Sequence, residues 1–157
     1  MSALNKFFGR AFAGLAVGVV ALTGNVARAD KITLFAGGGS VKAFPANALE
    51  VELREPFGTG FDVEGNAWVV EMVSGNRLLK IDPAGVVTHT GGNSVAGFSG
   101  DGGPALGAQF NGPHNLAVLS KERVLIGDTW NGRVREVEVI AGKVKSVQGY
   151  EVALERA

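Results

Sequence analysis

An internal repeat constrains this chain more than any other feature. Pro56-Phe57-Gly58-Thr59-Gly60-Phe61-Asp62-Val63 aligns with Pro113-His114-Asn115-Leu116-Ala117-Val118-Leu119-Ser120 at an offset of 57 residues. The same offset matches Ala67-Trp68-Val69-Val70-Glu71 with Val124-Leu125-Ile126-Gly127-Asp128. One extra residue in the first copy then shortens the offset to 56, so Asn76-Arg77-Leu78-Leu79-Lys80-Ile81 meets Gly132-Arg133-Val134-Arg135-Glu136-Val137. Upstream, Ala48, Leu49, Leu53 and Pro56 answer Ala105, Leu106, Phe110 and Pro113. A closing run recurs at residues 32–38, 87–92 and 144–149. Such a period means similar units stacked side by side, each relying on its neighbours to cover its apolar surface.

Each unit reads as four short strands, predicted over 57–63, 67–72, 77–82 and 86–90, then over 114–119, 123–127, 133–139 and 143–148. Gly65-Asn66, Ser74-Gly75-Asn76, Pro83-Ala84-Gly85, Asn131-Gly132 and Ala141-Gly142 fall between them, where a positive φ costs little. Phe57, Thr59, Phe61 and Val63 alternate as a half-buried strand should, and the paired valines suit strands covered on both faces. Val69 and Ile126 are expected in equivalent buried positions, with Trp68 in the core. The loop 92–112 lengthens the period, and Phe98 and Leu106 are expected to tuck beneath the strands. Four antiparallel strands per unit with Gly-rich turns is the pattern of a β-propeller blade.

The first 29 residues read as a signal peptide. Lys6 and Arg10 precede an uncharged apolar stretch over 11–22, and Ala27-Arg28-Ala29 offers small residues where a signal peptidase reads them, with the cut before Asp30. The apolar stretch is shorter than the roughly 18–20 residues of a spanning helix, so no stable membrane span is expected after cleavage. The expected location is the periplasm or the cell exterior. Loss of Lys6, Arg10 and Arg28 leaves 12 basic against 15 acidic residues, a net charge of −3. That balance, without a basic block, argues against a nucleic-acid partner. With no Cys, the fold has no disulfides to rely on.

The strings Gly97-Phe98-Ser99-Gly100-Asp101-Gly102-Gly103-Pro104-Ala105, Phe110-Asn111-Gly112-Pro113-His114-Asn115-Leu116-Ala117-Val118 and Gly127-Asp128-Thr129-Trp130-Asn131-Gly132-Arg133-Val134-Arg135 resemble bacterial secreted NHL-repeat proteins. Glu55-Pro56-Phe57-Gly58, Val69-Val70-Glu71-Met72 and Arg77-Leu78-Leu79-Lys80-Ile81-Asp82 are similar to the same repeat in diverged form. The resemblance implies an all-β fold: a partial propeller of four-stranded antiparallel NHL-type blades, with a signal peptide over 1–29 and repeat units over about 30–92 and 93–149 of the segment 30–157. It departs from the family in size. Little more than two units leave two blade faces open, which implies either a truncated reading frame or self-association of several chains.

Two kinds of function fit. One is a binding or scaffolding module whose propeller face holds a protein, peptide or glycan, with Trp130, Asn131 and Arg133 on the candidate binding surface. The other is a metal-assisted hydrolase or lyase of the lactonase-like six-bladed class, with Glu71, His114, Asn115 and Asp128 facing a ligand or a metal such as Ca²⁺ or Zn²⁺. Glu71 and Asp128 end the second strand of each unit, where carboxylates could converge at one mouth. They also suit a structural role, accepting hydrogen bonds from the following turn while Arg133 packs across the unit. His114 replaces Phe57 of the first unit and lacks a matched second ligand. The loop Gly100-Asp101-Gly102-Gly103 has a single carboxylate and reads as a tight turn. No nucleophile triad, phosphate loop or dinucleotide fingerprint is present.

Overall fold

The computed structural model describes residues 31–147. The segment read as a signal peptide, the last positions of the closing run at 144–149 and the tail 150–157 lie outside the described residues. Within the body Thr33–Ala157, the described residues form two antiparallel sheets. Sheet 1 contains β1 (Ala46–Asn47), β2 (Pro56–Phe61), β3 (Ala67–Glu71), β4 (Arg77–Ile81) and β5 (Val86–Gly91), in the order β1-β5-β4-β3-β2. Sheet 2 contains β6 (Pro113–Ser120), β7 (Arg123–Asp128), β8 (Arg133–Glu138) and β9 (Lys143–Ser146), in the order β6-β7-β8-β9. The expected strands fall within a residue or two of these bounds. The exception is residues 32–38, which form no strand. The edge of β5 is taken instead by the two residues of β1, pairing Ala46 with Val87 and Asn47 with Val86.

The repeat extends to individual hydrogen bonds of the segments that precede each sheet. The Ala48 N–H donates to Gly85 O at 2.8 Å, and its equivalent Ala105 donates to Gly142 O at 2.6 Å. The Arg54 N–H donates to a Glu71 carboxylate oxygen at 2.6 Å, and the Asn111 N–H donates to Asp128 at 2.7 Å. Each sheet therefore carries its own preceding segment folded across one face, tied at both ends.

Two apolar clusters follow from this arrangement. Ala48 and Val51 of the first segment pack on Ala67, Val69, Leu79, Ile81 and Val87. Ala105, Ala108 and Phe110 of the second segment join Leu116, Val124, Ile126, Val137 and Val144 of sheet 2, and also Trp68, Val70 and Leu78 of sheet 1. The second segment is thus wedged between the sheets, and β3 is buried along its whole length. Trp68 is fully enclosed, and its indole N–H donates to Asp62 at 3.2 Å. Burial works against charge on Asp62, but hydrogen bonds from Asn66, Trp68 and Glu64 outweigh it and hold the carboxyl below its ordinary range.

Two expectations about side-chain placement are corrected. Phe57, Phe61 and Val63 are exposed rather than core-facing. The glycines between them face the other sheet: a Cβ on Gly58 would lie 2.9 Å from the Asn115 Cα, so β2 and β6 approach backbone to backbone. Phe98 and Leu106 are also exposed, and Ala105, Ala108 and Phe110 fill the space beneath the strands instead.

Candidate functional site

The first strand of each sheet carries a bulge at the same repeat position. Pro56 pairs with Glu71 and Gly58 with Val70, which leaves Phe57 as the extra residue. Pro113 pairs with Asp128 and Asn115 with Gly127, which leaves His114 extra. A bulge re-aims a side chain out of the regular alternation. The two re-aimed rings meet edge to face with centroids 4.7 Å apart, and the Trp130 indole lies 6.1 Å from His114. Phe57 and Trp130 are 58% and 55% exposed, so these three rings form an aromatic ledge open to solvent.

One residue holds the ledge in place. The Gly112 N–H donates to Asn76 Oδ1 of sheet 1 at 3.0 Å, while the Gly112 carbonyl accepts from His114 Nδ1 at 2.7 Å. A carbonyl can only accept, so Nδ1 carries the proton and Nε2 of the neutral ring remains an acceptor. Gly112 itself lies under Trp130. A Cβ there would come within 2.6 Å of the indole, and the backbone has φ +57°, so glycine serves both space and conformation.

The carboxylates go elsewhere. Glu71 is fully buried and accepts from the Arg54 N–H and from Arg77 Nε. Asp128 is fully buried and accepts from the Asn111 N–H, from Asn131 Nδ2 at 2.8 Å and from Arg135 Nη1 at 3.3 Å. Asn115 turns back to the Leu116 N–H. Each of the four predicted ligand-facing residues is therefore bonded to partners in its own unit rather than to another of the set. Among the described residues, no three His, Asp or Glu are grouped to hold a metal ion. Trp130 lies in a short 3₁₀ turn, Thr129–Asn131. Asn131 ties that turn to Gly97 O, and Arg133 lies over the Phe98 ring at 3.7 Å, so neither joins the ledge.

The residue that packs across sheet 2 is Arg135, not Arg133. Its guanidinium is fully buried and donates to Asp101 at 2.9 Å, to Gln109 O, to Ser99 O and to Asp128. Asp101 also accepts from the Ser146 hydroxyl. The Gly-rich loop of 100–103 is a brace for this arginine. The signal for Arg135 is its place two residues before Val137 in strict alternation, on the core face, where a charge needs a buried acid. A cleft of about 280 Å³ lined by Glu122, Arg123, Glu138, Ile140 and Ala141 involves none of the predicted residues.

No protein-family model matches this chain, and no curated protein matches it. Among solved structures it is similar to a structural-genomics protein of unknown function from Bacteroides thetaiotaomicron. That likeness has a TM-score of 0.55 and 24% sequence identity, and it covers 65% of this chain. It takes in 26% of the other chain, so this chain corresponds to about a quarter of that protein's length. At that identity the likeness speaks for the fold alone.

Proposed function

We propose that this chain is an exported segment of an NHL-type β-propeller, each sheet a blade, whose task is to bind a neutral glycan on the ledge Phe57–His114–Trp130. The observation that carries this reading is the ledge itself. Two exposed aromatic rings each contact an imidazole whose Nε2 accepts hydrogen bonds, with no charged side chain among the three. A sugar offers both complements, an apolar C–H face for the rings and hydroxyl donors for Nε2. The metal-dependent hydrolase or lyase reading is weaker, because Glu71 and Asp128 are engaged by buried arginines and backbone N–H groups.

Tryptophan fluorescence tests it, since Trp130 is exposed while Trp68 is enclosed. Titration with maltohexaose and chitohexaose is expected to change the exposed-tryptophan signal saturably. Followed by titration calorimetry, Trp130→Ala should weaken binding by about ten- to a hundredfold, the loss of roughly 1.5–3 kcal/mol of aromatic burial. Binding that survives Trp130→Ala, or a flat signal across neutral oligosaccharides, overturns the reading. Saturation by an uncharged peptide alone would move the ligand class to peptide.

A further inference from the structure

We infer that the free face of sheet 2 is covered by sheet 1 of a second copy of this chain, in a head-to-tail contact that repeats the internal one. The inference rests on the relation between the two units and does not use the ledge.

The face that sheet 1 turns toward sheet 2 contains Gly58, Gly60, Trp68, Val70 and Leu78. The last three are completely enclosed. The same positions in sheet 2 are Asn115, Ala117, Leu125, Gly127 and Val134. There Asn115 and Ala117 are exposed, Leu125 and Gly127 half-buried, and Val134 42% exposed, with Leu119 exposed beside them. Among the described residues this face lacks the cover that its counterpart has, and beside its apolar strip Glu136, opposite Leu125, is bridged by Arg123 and Lys145.

The chain also carries the matching surface. Sheet 2 covers Gly60 with Leu116 and Val118 of β6, whose atoms come within about 3 Å of a Cβ built there. The repeat places Thr59 and Phe61 at those positions in sheet 1, and Phe61 is 65% exposed. Charge follows the same logic. Glu64 and Lys121 occupy one repeat position and form a 3.1 Å ion pair between the units. Applied once more, the operation brings Glu64 of the second copy beside Lys121 of the first. Because the two faces differ, the contact is heterologous, and it either closes into a ring or runs on. On the propeller reading proposed above, closure with four to eight blades corresponds to two to four copies of the two described sheets.

Sedimentation velocity on the purified protein and two variants tests this. Val134→Glu blocks the sheet 2 face and Phe61→Glu blocks the sheet 1 face, both at exposed positions. Buried Trp68 emission verifies that each variant is folded. The unmodified chain is expected as a discrete oligomer of two to four copies, and each variant alone as a monomer. An equimolar mixture of the variants should give a heterodimer and stop there, because each supplies the face that the other retains. A monomeric unmodified chain overturns the inference, as do aggregates of no defined size. So does an oligomer that survives in one variant alone, which would mean a two-fold contact through a single face, or one that survives both.

Discussion

Sheets 1 and 2 solve the same problem with different arginines. In both, the second strand ends in a buried carboxylate that accepts the N–H of the residue two before the first strand. In sheet 1 the balancing cation is Arg77, the first residue of β4, reaching Glu71 through Nε while its Nη2 finds no partner. Phe44 lies 5.2 Å from its guanidinium, and His89 lies 5.8 Å beyond Phe44. In sheet 2 the arginine has moved two residues along the same face to Arg135, where Leu79 stands in sheet 1. Asp101 replaces Phe44 and Ser146 replaces His89, so the sheet 2 guanidinium is bonded at all three nitrogens. The comparison separates what the repeat requires from what it tolerates. It requires a strand-end carboxylate that fastens the preceding segment, whereas the cation and its surroundings can be rebuilt.

The sharpest way to break the comparison is to remove Arg135. Arg135→Ala strands Asp128 and Asp101 and is expected to cost about 3–5 kcal/mol, as deletion of one member of a buried charge pair does. Chemical denaturation measures it, and a loss near zero would mean that the brace is ornamental. Ile126→Ala comes next, at about 2–4 kcal/mol from transfer loss and cavity, because Ile126 is completely enclosed between the units. Val69→Ala at the equivalent position in sheet 1 removes fewer atoms and should cost less under the same denaturant.

A smaller effect tests the incomplete clamp. Arg77→Lys forfeits one bond to Glu71, whereas Arg135→Lys forfeits several. The second should therefore be the more destabilising by about 1–2 kcal/mol. Equal losses would show that the unpartnered nitrogen has no bearing on the clamp. The smallest effect is one of pH. Burial pushes His89 below its ordinary 6.5, and its hydrogen bonds to the Gly92 and Gly91 carbonyls offset this only in part. The unfolded chain then takes up the proton first, so stability is full above about 6.5 and declines as the pH falls below it. His89→Ser installs the residue of sheet 2 and should flatten the curve between pH 6.5 and 5, measured as thermal midpoints. An unchanged slope would place the acid sensitivity elsewhere.

The strands and their pairing were legible because the repeat supplied two independent readings of each one. Side-chain direction was less so. Thr59 and Phe61 do alternate, but the faces are reversed, and the bulge takes Phe57 out of that alternation. Glycines occupy the packed side because β2 and β6 touch through their backbones, and periodicity alone does not say which side is packed. The bulges that turn Phe57 and His114 toward each other leave no mark in composition. Arg135 escaped notice because the alignment sets Arg133 under Arg77, while the carboxylate it serves takes its cation from a site two residues along. Residues 32–38 share the wording of a closing strand but lack the position, since β1 already occupies the edge of β5.

The placement of Gly112 has a thermodynamic consequence. Its N–H belongs to sheet 1 through Asn76, its carbonyl belongs to His114, and its α-carbon is the floor under Trp130. Parting the two sheets by the width of a water molecule would surrender the first bond and pull Phe57 away from His114. Occupancy of the ledge and seating of one sheet on the other are therefore linked equilibria. A ligand that favours the aligned rings must tighten the seam between the sheets, and whatever loosens the seam must weaken that ligand by the same factor.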